Sequence, residues 1–418
     1  MAGQTLVEKI LSSHTGLSSI PHGEYLEASV DLILGHDPTI ALLIDDFRQL
    51  GRKFWDRGKV IFTADHFAPP ASGERAGILK KFLDFAREEE VEHFHLFSGI
   101  CHQLLVEHPT IAPGQVVIGA DSHTVTAGAL GCLATGMGSL DILHALTTGR
   151  IWLKLEEVVR MDLQGTLPPY LLGKDLILYL LGKLGQDGGI YKVFEFYDRI
   201  ENRLSMDSRF TISNMIVEGG GKAGIFVPDE ITADYLNSKE TPSDPTPLPD
   251  SDALYQETWE IEVSDLVPQV ALPSSPTNTV PVAEAEGEPL DQVYIGSCTG
   301  GRLEDLRLAA SILKGKKRTR YTKLIVIPSS QNIYLEALRA GYLETLAEAG
   351  AAICNPSCGP CGKIDKGIMA EGESCAATSN RNFEGRMGEL GSRVFLVSTL
   401  TAAASALEGK LVDPRKYL

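Results

Sequence analysis

Short apolar runs that break off into small or polar residues, interleaved with helix-spaced stretches, recur along this chain. Near the N-terminus "KVIFTAD" and "QVVIGAD" are such runs, and "VEKILSSH" and "GILKKFLDFAREE" carry apolar residues at helical spacing. Toward the C-terminus "QVYIGS", "LEDLRLAASILKG", "TKLIVIP", "NIYLEALRAGY", "RVFLVS" and "TAAASALEG" repeat the pattern. Such alternation predicts an α/β protein, with mostly parallel sheets and helices on their faces. In open sheets of this kind the ligand crevice lies just past the strand ends. Two polar groups stand there, Asp65-His66 and Asp121-Ser122-His123.

Size and composition narrow the class further. A chain of 418 residues has room for about three core-sized domains, expected at 1–150, 151–285 and 286–418. From Asn237 to about Pro289 the sequence turns rich in Pro, Ser, Thr and acids, which predicts a long loop and linker. The excess of 55 acidic over 38 basic residues, a net −17, argues against a nucleic-acid-binding surface. No apolar run reaches membrane length, and the N-terminus lacks the core of a signal peptide. Seven cysteines, three of them crowded together, fit a metal site in a reducing cytoplasm better than a disulfide framework.

Those three lie in "AAICNPSCGPCGK": Cys354, Cys358 and Cys361. A fourth, Cys298, sits in the glycine-rich "YIGSCTGGRLEDL", between a strand and a helix start where backbone amides favour negative charge. Three readings are compatible with the spacing. All four sulfurs can hold zinc; Cys354, Cys358 and Cys361 can form a radical-type iron–sulfur loop; or Cys298, Cys358 and Cys361 can ligate a [4Fe–4S] cluster with one open iron. In "GADSHTVTAGALG" a carboxylate and an imidazole flank a hydroxyl, and in "SGICHQLLVEH" His102 follows a loop. The stretch "TSNRNFEGRMG" supplies Asn380, Arg381 and Arg386, a set suited to a substrate with two or more carboxylates, since guanidinium forks bind them bidentately. "GMGSLD" lacks the glycine fingerprint of a dinucleotide loop and is not expected between a strand and a helix.

Taken together, "VVIGADSHTVTAGALG", "YIGSCTGGRLEDLR", "SCGPC" and "TSNRNFEGRMG" resemble the aconitase superfamily in order and spacing across nearly the whole chain. The likeness is nearest to the large chains of its two-subunit members. It implies three α/β domains around a cleft that holds a [4Fe–4S] cluster, without the mobile fourth domain. It implies Cys298, Cys358 and Cys361 as cluster ligands, with Cys354 a neighbour. Asp65 and His66 match the pair that protonates the leaving hydroxyl, His102 a histidine beside the cluster, and Asp121 with His123 a pair that binds water and hydroxyl. Glu195, in "KVFEFYDRIENR", matches a glutamate near the labile iron, and Asn380, Arg381 and Arg386 match contacts to substrate carboxylates and cluster. Relatives usually carry Asn at the position of Gly300 and an apolar residue near Lys363, so the chain departs from them beside the cluster.

The implied reaction is removal and re-addition of water on a hydroxy-dicarboxylate, an isopropylmalate first, with homoaconitase, citramalate and dimethylmalate chemistry as alternatives. The resemblance places the carbon base on a separate small subunit that supplies the fourth domain. Some relatives bind RNA when their cluster is lost; the charge of −17 and the expected lack of a fourth domain oppose that role here.

Overall fold

The structure is a computed structural model and describes residues 3–155, 157–238 and 246–418. Its packing divides the chain into two compact units. The first comprises Met1–Phe97, Cys101–Gly165 and Gly189–Glu262; the second comprises Ser98–Ile100, Thr166–Gly188 and Val263–Leu418.

The first unit has two parallel sheets and an antiparallel pair of strands, Tyr25–Ser29 with Arg150–Lys154. One sheet has five parallel strands in the order His93–Leu96, Val60–Ala64, Leu32–His36, Val116–Gly119, Leu133–Gly136. Its inner strands are buried on both faces, which is why they read as continuous apolar runs. Helices Leu6–Thr15 and Gly73–Glu88 begin where Thr5 and Ser72 accept the first unpaired amides. Phe47, Phe54, Phe62 and Phe85 pack edge-on and stacked in the core beneath. The other sheet is also parallel, in the order Ala223–Phe226, Lys192–Ile200, Glu157–Gly165, Glu257–Glu262.

The second unit carries a seven-stranded sheet. Its order is Thr279–Pro281, Gln269–Ala271, Arg393–Val397, Ser374–Ala377, Gln292–Ile295, Lys323–Val326, Ala352–Ile353. The last five run parallel, and the first two are antiparallel additions at one edge. Leu303–Leu313 and Thr399–Glu408 supply apolar helix faces to the core of this unit.

Three expectations change. The stretch expected to be a linker holds three strands, Glu257–Glu262, Gln269–Ala271 and Thr279–Pro281. Glu257–Glu262 and Thr279–Pro281 lie at sheet edges, where proline and charge are tolerated, and Gln269–Ala271, though buried, is only three residues long, so composition disguised them. Its part at 239–245 lies outside the described residues. Packing also divides the stretch 151–285 between the two units: pairing to Glu157–Gly165 keeps Glu257–Glu262 in the first, and pairing to Arg393–Val397 draws Gln269–Ala271 into the second. Finally, "GMGSLD" does lie between the strand Leu133–Gly136 and the helix Ser139–Thr148. Only its incomplete glycine pattern sets it apart from a dinucleotide loop.

Candidate active site

In the first unit the polar residues gather at the carboxyl edge of the five-stranded sheet. The chain runs outward from Leu32–His36 to one side through Val60–Ala64 and to the other through Val116–Gly119. The central strand therefore marks the switch point at which such sheets open a crevice. His36 ends that strand, while Asp65-His66 and Asp121 follow its two neighbours. Asp37 fixes the turn: its carboxylate accepts the amides of Asp65 (3.3 Å), His66 (3.2 Å) and Phe67 (2.8 Å).

His66 Nδ1 lies 2.9 Å from Asp65 Oδ1, and its ring stacks on His36 at 4.1 Å between centroids. Asp65 is in turn held through its other oxygen, which accepts the Cys101 amide at 2.7 Å. Burial opposes a charged imidazole, but the carboxylates of Asp65, Asp37 and Asp121 outweigh it and raise His66 to about 9. Burial likewise works against the Asp65 carboxylate, yet the positive His66 beside it holds it down at about 2. The pair is thus an imidazolium bound through Nδ1 to a carboxylate, which leaves the Nε2 proton for transfer.

Asp121 is the hub of a second group. One of its oxygens accepts the His123 amide (2.8 Å) and meets His102 Nε2 (3.0 Å); the other lies 3.6 Å from His36 Nε2. Burial lowers the pKa of His102, whose Nδ1 finds no partner among the described residues. The loop lies close against the sheet because Gly136 has no side chain: a Cβ there would come within 2.6 Å of the Asp121 carbonyl. Within each of two sets, His36, Asp37, Asp65, His66 and His102, Asp121, His123, one donor atom per residue lies within 4.8 Å of the others.

Sequence reading missed three members. His36, in "DLILGHDPT", obeys the strand-end rule that singles out Asp65, but the run before it is interrupted by a glycine and is harder to read as a strand. Asp37 acts through backbone amides and leaves no motif. Glu218, whose Oε1 meets His123 Nε2 at 2.8 Å, sits in the short turn Ile216–Gly219, which carries no chemical signature. Glu195 is employed differently from the expected role. It is buried in the strand Lys192–Ile200, where its oxygens accept the Val7 amide and the Tyr255 hydroxyl, each at 2.8 Å. It thereby anchors the start of the helix Leu6–Thr15, and neither of these partners belongs to the histidine groups.

The second unit repeats the strand-end logic with sulfur. Cys298 follows the central strand Gln292–Ile295, Asn380 follows its neighbour Ser374–Ala377, and Cys358 and Cys361 follow Ala352–Ile353. The Asn380 amide spans two thiols, with Nδ2 3.3 Å from Cys298 Sγ and Oδ1 3.4 Å from Cys361 Sγ. Ser297 Oγ lies 3.7 Å and 4.0 Å from the same sulfurs. Burial first, and then the charges of Cys361, Cys358 and Cys298, hold the Tyr294 phenol well above its ordinary pKa. Cys354 stands apart: its Sγ lies 3.9 Å from the Ala352 carbonyl, and its charged neighbours are Lys366 and Asp365.

The remaining motif residues fall beside these. Gly362, next to Cys361, has the Arg386 guanidinium 3.8 Å from where its Cβ would stand, and Arg381 is half-buried next to Asn380. Asn382 instead donates to the Ala271, Leu272 and Val394 carbonyls and ties the loop to the sheet. Both departures from the usual pattern have local explanations. A Cβ at Gly300 would lie 2.2 Å from the Thr378 side chain, which occupies the space a larger residue would need. Lys363 turns outward to Glu389, at 2.8 Å.

Parallel sheets whose carboxyl ends carry imidazole–carboxylate groups in one unit and a thiol trio in the other define an aconitase-like protein. The chain belongs to that family: the model of the Aconitase family (aconitate hydratase) matches residues 8–409. Its relatives include the 3-isopropylmalate dehydratase large subunit of Syntrophus aciditrophicus, 48% identical over 415 residues and 99% of each chain. Large subunit 1 of the same enzyme from Methanopyrus kandleri is 44% identical over the whole of both chains, and the Moorella thermoacetica large subunit 46%. Among solved structures, holo aconitase X of Thermococcus kodakaraensis shares the fold at a TM-score of 0.54 and 16% identity, over 88% of each chain.

A [4Fe–4S] cluster is the cofactor of this family, and the residues fit it. Cys298 and Cys361 are buried, none of the seven cysteines is in a disulfide among the described residues, and an amide and a hydroxyl contact the sulfurs. Thiolates with such hydrogen-bonding neighbours are the donor set these clusters use.

Proposed function

We propose that this chain is the large subunit of a 3-isopropylmalate dehydratase, which interconverts 2- and 3-isopropylmalate by removing and re-adding water in leucine biosynthesis. The observation that carries the reading is end-to-end identity of 43–48% with large subunits of that name from separate genera. Cys298, Cys358 and Cys361 hold the cluster, which when bound supplies an iron that polarises the substrate's hydroxyl and carboxylate. His66 gives its Nε2 proton to the departing hydroxyl, and Asp65 keeps that imidazole charged and oriented. Asp121 and His123, steadied by His102 and Glu218, hold the water. Arg381 and Arg386 bind the substrate carboxylates, and Asn380 fixes the thiols. The carbon base comes from a small-subunit partner. Among the described residues no helix is long and apolar enough to cross a membrane. Cysteines kept as thiols support a cytoplasmic setting.

Turnover by the two-subunit enzyme tests the substrate. With its cognate small subunit the chain should dehydrate 3-isopropylmalate with a higher kcat/KM than homoisocitrate, citramalate or dimethylmalate. A preference for any of the latter would transfer the protein to that branch of the family.

A further inference from the structure

Lys174 stands in the first turn of the helix Gly173–Leu184 and is only 4% exposed. Both facts run against its charge. A helix N-terminus repels cations, and lysine is almost never buried without a paired anion. Its ammonium spends its three N–H groups on neutral acceptors: Thr299 Oγ1 at 3.3 Å, the Thr378 carbonyl at 2.9 Å and the Ser379 carbonyl at 2.5 Å. Thr299 follows Cys298, and Thr378 and Ser379 precede Asn380, the residue that spans two of the thiols.

Burial pushes the pKa of Lys174 down to about 7, and the groups that oppose this are, in order of strength, Cys298, Asp305, Cys361 and Asp175. Both carboxylates are committed elsewhere. Asp305 accepts the Thr399 hydroxyl and the Arg302 amide, and Asp175 accepts the Leu172 and Gln269 amides. None of the ammonium's three hydrogen bonds goes to either carboxylate; they run to the loops that carry Cys298 and Asn380.

We infer that Lys174 is a positioning residue for the cluster, whose ammonium ties the Cys298 and Asn380 loops together and stands as a counter-charge beside the thiolate-ligated group. The inference rests on the assignment of the cluster to Cys298, Cys358 and Cys361. A fixed positive charge in a low-dielectric site favours the more negative, reduced state of a cluster and opposes loss of thiolate ligands. A lysine that only knitted two loops would affect folding stability and leave the potential where it was.

The test compares wild type, Lys174→Met and Lys174→Arg, each reconstituted anaerobically with iron and sulfide. The midpoint potential is read by an EPR-monitored redox titration, the bleaching rate from visible absorption in air, and folding from circular dichroism and melting of the apo chain. In Lys174→Met the reduction equilibrium should fall about tenfold, a potential about 59 mV more negative for one electron, and bleaching should quicken by a similar factor. Lys174→Arg, which keeps the charge, should recover most of the potential. An unchanged potential in Lys174→Met, whatever its melting temperature, would overturn the inference. If Lys174→Met does not fold, Thr299→Val decides instead, since it removes one acceptor and leaves the ammonium. Faster bleaching at an unchanged apo melting temperature supports the inference, and unchanged bleaching overturns it. Failure of the wild-type chain to take up iron overturns the cluster assignment itself, and this inference with it.

Discussion

Single residues decide how charge is distributed in both units. His66 is the clearest case, because its raised pKa depends on a carboxylate that can be removed without changing shape. In wild type the acid form persists until the pH passes about 9, which should set the alkaline limb of kcat/KM. The same pairing contributes to stability: the contribution is complete below the ordinary value of 6.5 and is lost as pH rises through about 9. In Asp65→Asn burial faces less opposition, so the limb should move toward neutrality, with about tenfold less acid form above it for every unit lost. A limb that stays in place, followed across the alkaline range with both subunits present, would exclude His66 as the proton donor. Among the cysteines the decision rests on direction. Anaerobically purified protein should be brown, and Cys298→Ala, Cys358→Ala or Cys361→Ala should each remove the colour. Cys354→Ala should keep it, because that sulfur is turned toward Ala352 and Lys366. Loss of colour in Cys354→Ala with retention in Cys298→Ala would instead favour a radical-type loop.

At the scale of elements, the same device is used twice: a parallel sheet whose chain order reverses at a central strand, with functional groups just beyond that strand and its neighbours. This much was legible in the sequence, since buried strands read as apolar runs and the polar residues directly after each run mark the strand end. Edge strands such as Glu257–Glu262 were not legible, because their exposed face carries the charge and proline of a loop. Groups that act on backbone, such as Asp37, or that pair across sequence, such as Glu218 with His123, leave no local pattern either. Glu195 shows the opposite failure, a matched motif residue with structural employment. Burial holds its carboxyl up at about 7, against an ordinary 4.5. Between those values the folded chain keeps a proton that the unfolded chain releases, so its contribution to stability falls as pH rises through that window. Glu195→Gln should flatten that fall in melting temperature and leave kcat/KM within about threefold. A loss of about a hundredfold or more in kcat/KM would return Glu195 to the catalytic set.

For the whole molecule the question is what this chain can accomplish by itself. On the proposed reading His66 is the proton donor, Cys298, Cys358 and Cys361 hold the cluster, and Arg381 and Arg386 anchor a dicarboxylate. Dehydration also requires a base that takes a proton from carbon. Among the groups gathered at the strand ends, Asp65 and Asp121 are bound to imidazoles, His66 is already protonated, and the unpartnered Nδ1 of His102 is buried. Catalysis needs acid, metal and base within hydrogen-bond reach of one substrate, and the advantage of holding them so is many orders of magnitude in effective concentration. The isolated chain should therefore bind its cluster and show the corresponding EPR signal, yet turn over 3-isopropylmalate at less than about a hundredth of the rate seen with the small subunit. When small subunits of different preference are exchanged on this chain, the favoured hydroxy-acid should follow the small subunit. Full turnover by the large chain alone would mean that the base is a residue already engaged in other contacts, and Glu218, at the end of the His123 relay, would be the first to substitute.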